Sequence, residues 1–241
     1  SYGPSMVLRK IISEIPNIEK LGLPPAAHES ITHKTGLVLV TGQTGSGKST
    51  SLAAMIDQIN SHRAENIITI EDPIEFVHPA KKSIISQREV GKDTGSFAKA
   101  LKSALRQDPD VILVGEMRDL ETISLALTAA ETGHLVFGTL HASSASSTIT
   151  RILDVFPPAQ KEQAQTMLAG SIRLVMSQQL LKRKGGGRIG CHEVMTGTPA
   201  IRNLIREGKT EQIASTLQTS AKDGMFTMEK CLEGLKQKNL V

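Results

Sequence analysis

The densest chemistry in the chain lies in Thr41-Gly42-Gln43-Thr44-Gly45-Ser46-Gly47-Lys48-Ser49-Thr50. An apolar, strand-like run, Leu37–Val40, leads into it, and a helix-forming run, Ser51–Met55, leads out. The spacing G-x-x-x-x-G-K-S between a strand and a helix is that of a phosphate cradle. Glycines let the backbone wrap until its N–H groups bond phosphate oxygens, and the positive end of the following helix adds to the attraction. Lys48 would reach the β- and γ-phosphates, and the Ser49 hydroxyl would sit on Mg²⁺. Gly42, Thr44, Gly45, Ser46, Gly47, Lys48, Ser49 and Thr50 are therefore the candidate phosphate-binding residues. The alternative, a chance glycine-rich turn, does not explain the flanking strand and helix.

Two acidic elements could complete such a site. Val111–Val114 runs into Gly115-Glu116, which places a carboxylate at the tip of a buried strand, where a Mg²⁺-binding or water-orienting acid belongs. The commoner residue there is Asp, so Glu116 is expected to act on the metal directly or through water. A surface Glu capping the next helix is the plain alternative. In Ile68-Thr69-Ile70-Glu71-Asp72-Pro73-Ile74-Glu75, a strand again ends in carboxylates. Three acids so close repel one another, which raises one pKa and suits it to general-base work. A turn with solvated carboxylates is the competing reading.

His134 and His141 bracket the apolar run Leu135–Leu140 and fall at its opposite ends. His141, at the far tip, could donate to a γ-phosphate, whereas a lone histidine is more often structural. Two histidines without a third ligand make a poor zinc set, and His192-Glu193 beside Cys191 is rejected as a metal site. Arg88, Arg106 and Arg118 could neutralise developing phosphoryl charge, a function a neighbouring subunit often supplies. Surface ion pairs are the alternative for each.

These residues need a scaffold that brings strand tips together. Short apolar runs at Leu37–Val40, Asn66–Ile70, Val111–Val114 and Leu135–Thr139 alternate with helical stretches at about Lys48–Asn60, Ser96–Arg106 and Asp119–Thr132. That alternation predicts a mostly parallel sheet flanked by helices, an α/β fold. Asp119 suits a helix N-cap, and Gly133 a left-handed C-cap. Apolar spacing predicts a short helix over Ser5–Ile15, before breaks at Pro16, Gly22 and Pro24-Pro25. After Pro157-Pro158, Ala159–Lys182 reads as one long helix. A basic glycine-rich turn, 182–188, a short strand at Ile189–Met195 and further helices follow. The expected division is a linker with an N-terminal helix over 1–25, a P-loop core over 26–157 and a mainly helical subdomain over 158–241.

Composition narrows the function. The chain has 241 residues, 39% hydrophobic and 22% charged, with a formal net charge of +4. That is ordinary globular composition, and so small a charge excess does not argue for nucleic acid. Aromatics make up 2%, with no Trp, so stacking platforms for single-stranded nucleic acid are nearly excluded. Two cysteines, Cys191 and Cys231, cannot form a tetracysteine zinc site and favour a reducing compartment. Apolar runs fall far short of the roughly 20 residues that span a bilayer. The start carries no signal-like segment and no initiator Met, so a fragment or a processed chain of cytosolic type is expected.

Taken together, the motifs resemble those of the secretion-superfamily hexameric ATPases. Thr69–Glu75 looks like their Asp box, Val114–Asp119 like their Walker B, and Gly133–His141 like their His box. Ala200-Ile201-Arg202-Asn203-Leu204-Ile205-Arg206-Glu207 is similar to the C-terminal motif of the pilus-retraction branch. The resemblance covers about Met6 to Val241. It implies a RecA-like P-loop core in a homohexameric ring at the cytoplasmic face of the bacterial inner membrane. Such a ring hydrolyses ATP with Mg²⁺ and works on an inner-membrane pilus platform protein, peripheral to the membrane and without direct DNA binding. It also implies Glu75 as general base, Glu116 completing the Walker B, and His141 at the γ-phosphate. Arg88 and Arg106 become catalytic-site arginines, Glu71, Asp72 and His134 members of functional boxes, and Ala200–Glu207 a segment needed for retraction rather than hydrolysis. Family members carry a PAS-like N-terminal domain with no counterpart in this sequence. Rival readings are a pilus-assembly or type II/IV secretion ATPase, and a non-hydrolysing, nucleotide-gated scaffold.

Overall fold

The computed structural model describes residues 14–241. The helix expected over Ser5–Ile15 lies largely outside the described residues. Two short helices, α1 (Ile18–Leu21) and α2 (Pro25–Ser30), come first. The proline and glycine breaks define them: Asn17 Oδ1 caps α1, Gly22 ends it in a left-handed conformation, and Pro25 opens α2. There follow β1 (Gly36–Thr41), α3 (Lys48–His62), β2 (Asn66–Glu71), β3 (Ile84–Glu89), α4 (Phe97–Ala104), β4 (Val111–Val114), α5 (Leu120–Glu131) and β5 (Leu135–Leu140). The second half holds α6 (Ala145–Asp154), α7 (Pro158–Ser171), β6 (Ile172–Lys182), β7 (Arg188–Thr196), α8 (Pro199–Arg206), α9 (Ile213–Thr219) and α10 (Met228–Gln237).

The strands form one seven-stranded sheet in the order β3-β2-β4-β5-β1-β6-β7. All neighbours are parallel except β6 and β7, which form a hairpin across the basic glycine-rich turn. Alternation along β1 shows how the sheet is covered. Leu37 and Leu39 face a core shared with α5, α6 and α7, while Val38 and Val40 face a core shared with α1, α2 and α3. All six β1 residues are buried, as expected of a parallel strand with helices on both faces.

The expected strands β1, β2, β4 and β5 and the helices between them are present. Asp119 caps α5 by accepting from Thr122 N, and Gly133 follows with φ +116°, a positive angle outside the left-handed helical region. Two expectations are corrected. The long helix over Ala159–Lys182 ends at Ser171, and β6 replaces its second half. Leu174-Val175-Met176 in β6 is an apolar run buried on both faces, and so short a run satisfies a helical spacing as readily as a strand. The strand β3, unforeseen, carries only two apolar residues, as suits its place at the sheet edge. Residues 172–196 thus belong to the same sheet as the P-loop strand, and the core under α5 continues into α7 and α8.

Candidate nucleotide site

In a parallel sheet the loops after β1, β2, β4 and β5 all emerge at one edge, so the sequence-distant motifs converge there. The loop 42–47 leaves β1 and turns directly into α3. A Cβ on Gly42, at φ +147°, would lie 2.3 Å from Gln178 O and 2.5 Å from Ser46 Oγ, so only glycine fits. Ser51 N closes the first helical turn by donating to Gly47 O at 3.0 Å.

Lys48 Nζ donates to Gly42 O at 3.0 Å and to Gln43 O at 3.1 Å, folding back over the loop. Burial holds its pKa below the ordinary lysine value, opposed by the negative charges of Glu116 and Glu75. Those three side chains therefore share one electrostatic environment. Ser46 Oγ is buried without a hydrogen-bond partner among the described residues, a polar atom spare for a ligand oxygen.

Glu116 stands at the tip of β4, fixed by its neighbours' backbone: Gly115 N donates to Ile70 O (2.7 Å) and Met117 N to Thr139 O (2.9 Å). One carboxylate oxygen, Oε1, lies 3.0 Å from His141 Nε2 and contacts Arg118 Nε. The structure thus brings His141, from the tip of β5, onto Glu116. Arg151 Nη1 donates to His141 O at 3.0 Å and steadies the backbone there.

The acidic box divides into two kinds of carboxylate. Glu71 is half-buried, and its Oε1 accepts from Thr69 Oγ1 (2.7 Å) and Gln87 Nε2 (3.2 Å). Burial raises its pKa, against those hydrogen bonds. Asp72 and Glu75 are exposed on the loop beyond. For Glu71, burial rather than mutual repulsion is the main cause of the shift.

Several expected residues do not join this cluster. His134 lies at the opposite end of β5, where its Nδ1 donates to Ala129 O at 3.0 Å as a structural tie. Arg88 is on the edge strand β3 and its Nη2 donates to Gln107 Oε1 at 2.5 Å. Arg106 is exposed in the turn before β4, at the far end of the sheet from the P-loop. Ala200–Glu207 forms α8: Ile201 and Ile205 are buried, Asn203 and Arg206 are exposed, and Glu207 pairs with Lys209 at 2.8 Å.

Gln178 is the site residue that sequence reasoning missed. It is 4% exposed, donates through Nε2 to Ser46 O (2.8 Å) and accepts at Oε1 from Ser51 Oγ (2.8 Å). A polar residue just past the apolar run Leu174–Met176 would have been the signal, had β6 been read as a strand. Beside it, Ser177 Oγ lies 2.9 Å from Thr41 Oγ1.

The oxygen-only pair of Ser49 hydroxyl and Glu116 carboxylate suits a hard cation such as Mg²⁺, which takes few protein ligands and completes its shell with water and phosphate. A seven-stranded sheet, a glycine loop at a strand–helix junction and a carboxylate–histidine pair beside it define a P-loop ATPase. The family model described as "Type II/IV secretion system protein" matches residues 1–185, and the chain belongs to that family. The chain is 57% identical over 239 residues to "Type IV pilus retractation ATPase PilT" of Pseudomonas aeruginosa, covering 99% of this chain and 70% of that protein. It is 56% identical to "Twitching motility protein" of Neisseria gonorrhoeae, across 99% of this chain and 64% of the relative. A solved structure, "Crystal Structure of the Pilus Retraction Motor PilT and Bound ADP", superposes with a TM-score of 0.91 at 54% identity, over 97% of this chain and 66% of that one. The chain therefore spans about two thirds of the length of these relatives.

Proposed function

We propose that this chain is the ATP-hydrolysing part of a ring motor that drives type IV pilus retraction. The observation that carries the reading is the convergence of Lys48, Glu116 and His141 at one sheet edge, in a chain 57% identical to a named retraction ATPase. ATP binds with its phosphates in the 42–47 loop, where backbone N–H groups and Lys48 receive the negative charge. To do so Lys48 exchanges its two carbonyl contacts for phosphate oxygens. Ser49 and Glu116 would hold Mg²⁺, which would supply positive charge against the phosphates.

Glu75, exposed on the loop after β2 and within electrostatic reach of Lys48, takes the proton of the attacking water. His141, held against Glu116, donates towards the γ-phosphate, so loss of that phosphate is felt at the Glu116–His141 contact. Arg88 and Arg106 are too far round the sheet to serve their own P-loop. In this reading they face the site of the next subunit in a homohexamer. Closure of that interface converts nucleotide state into rigid-body rotation. The nucleotide core takes in residues 26–157 together with the β6–β7 hairpin beside β1, and the exposed side of α8 passes its motion to an inner-membrane platform protein at the cytoplasmic face. Among the described residues no helix is long and apolar enough to cross a membrane.

The test is specific ATPase activity against protein concentration, with Lys48→Ala as control. Activity per chain that rises with concentration and vanishes in Lys48→Ala supports a site completed by a neighbour. A flat, Lys48-dependent activity would overturn the ring reading.

A further inference from the structure

At the end of the sheet away from the P-loop, a cavity of about 490 Å³ opens between α2, the turn before β1, the start of β6 and the turn into α8. Its walls carry Arg173, Arg202, Lys222 and His33, with only Glu29 and Asp223 of opposite sign. Arg202 is held by neutral groups: Nε donates to Gly197 O (2.7 Å), Nη1 to Gly170 O (2.9 Å) and Nη2 to Ile172 O (3.0 Å). Arg173 Nε donates to Thr35 O at 2.9 Å. Carbonyl oxygens fix the orientation of these guanidinium groups but leave their charge whole. Among the described residues neither the three cationic side chains, Arg173, Arg202 and Lys222, nor His33 forms an ion pair, although the cavity partly withdraws both arginines from water. Burial and Arg173 both hold the Arg202 pKa below its ordinary value, and burial and Arg173 do the same to His33, opposed by Glu29. Like charges kept together in a part-desolvated cavity are costly unless an anion completes them.

We propose that this cavity binds a phosphate group. The cations come from three separate segments and surround the space, whereas a planar carboxylate needs only one guanidinium fork. The volume exceeds that of phosphate alone and lies in the range of small-molecule sites. The phosphate can thus be free inorganic phosphate or the phosphoryl end of a nucleotide. The cavity is separated from the P-loop by the length of β1, six residues or about 20 Å. Arg202 joins it to the 200–207 segment, so occupancy would stiffen the turn from β7 into α8.

The experiment titrates inorganic phosphate, then ADP, into the full chain carrying Lys48→Ala, which removes the principal phosphate-binding side chain of the P-loop. Calorimetry reads affinity and the His33 imidazole resonances report place. Saturable phosphate binding that shifts His33 is expected, weakened ~10-fold by Arg173→Gln and about threefold by Lys222→Gln, in line with losing a charge-assisted partner. ADP that binds more tightly and with the same sensitivity identifies a nucleotide as the source; ADP that fails to bind identifies free phosphate. Lys222 is exposed and makes no hydrogen bond among the described residues, so Lys222→Gln keeps the test decisive if Arg173→Gln fails to fold. Absence of phosphate binding, binding that leaves His33 unmoved, or binding indifferent to both substitutions overturns the proposal.

Discussion

Gln178 and Glu71 show how second-rank residues set the nucleotide site. Gln178 clamps the loop at Ser46 O and the first turn of α3 at Ser51 Oγ. Gln178→Leu leaves a buried hydroxyl unsatisfied, so a loss of about 1–3 kcal/mol in urea unfolding is expected, with weaker nucleotide binding because the loop is no longer held. Glu71 has a raised pKa in the folded state, so folding binds a proton there that the unfolded chain releases. Its contribution to stability is full below the unfolded carboxylate value and is lost as pH rises through the folded one. Glu71→Gln can keep the bonds from Thr69 and Gln87 without the charge. It should match the parent in urea midpoint at acid pH and exceed it at pH 8. The candidate phosphate-binding residues were legible because a glycine-loop motif is local in sequence. Gln178 was not, because its role depends on which strand lies next to β1.

At the scale of elements, β1, β2, β4 and β5 were readable because each is a short apolar run bounded by helical stretches and turn residues, and β7 was readable from the run Ile189–Met195. β6 was concealed by its own burial: Leu174–Met176 is apolar on both faces, and so short a run has no period to betray it. β3 was concealed by the opposite property, the polarity of an edge. The junction from β7 to α8 is tighter than its sequence suggests. A Cβ on Gly197 would lie 2.1 Å from Ile172 O. Gly197→Ala is expected to cost about 1–3 kcal/mol as the turn moves off the start of β6, and each kcal/mol should lower the melting midpoint by ~2–4 °C. The same turn supplies the carbonyl that holds Arg202 Nε, so displacement of that guanidinium should accompany the loss.

Over the whole molecule, the two sheet edges are treated differently. β7 is flanked by α10 and bridged to the Phe226 segment. β3 leaves Ile84 72% exposed, with Val77 nearby in sequence at 64%. Apolar side chains beside unpaired strand edges favour association. Ile84→Lys should change the stability of the single chain by less than about 0.5 kcal/mol, since the side chain is already in water. If β3 faces a neighbour in the ring, the same substitution should lower the sedimentation coefficient of the assembled species and its ATPase activity per chain.

The insertion of β6 beside β1 also dictates when the protein can become whole. Thr41 and Ser177, bonded side by side in the finished sheet, are separated by 136 residues. At ~5–20 residues per second a ribosome needs about 7–27 s to travel between them. Throughout that interval the strand that carries the phosphate loop is missing its partner on one side, and Ser46 and Ser51 lack the glutamine that joins them. A nascent chain halted before Ile172 should therefore be sticky and unable to retain nucleotide, and both properties should change together once the hairpin emerges. The loop after β1 is thus made well before the strand that sets it in place.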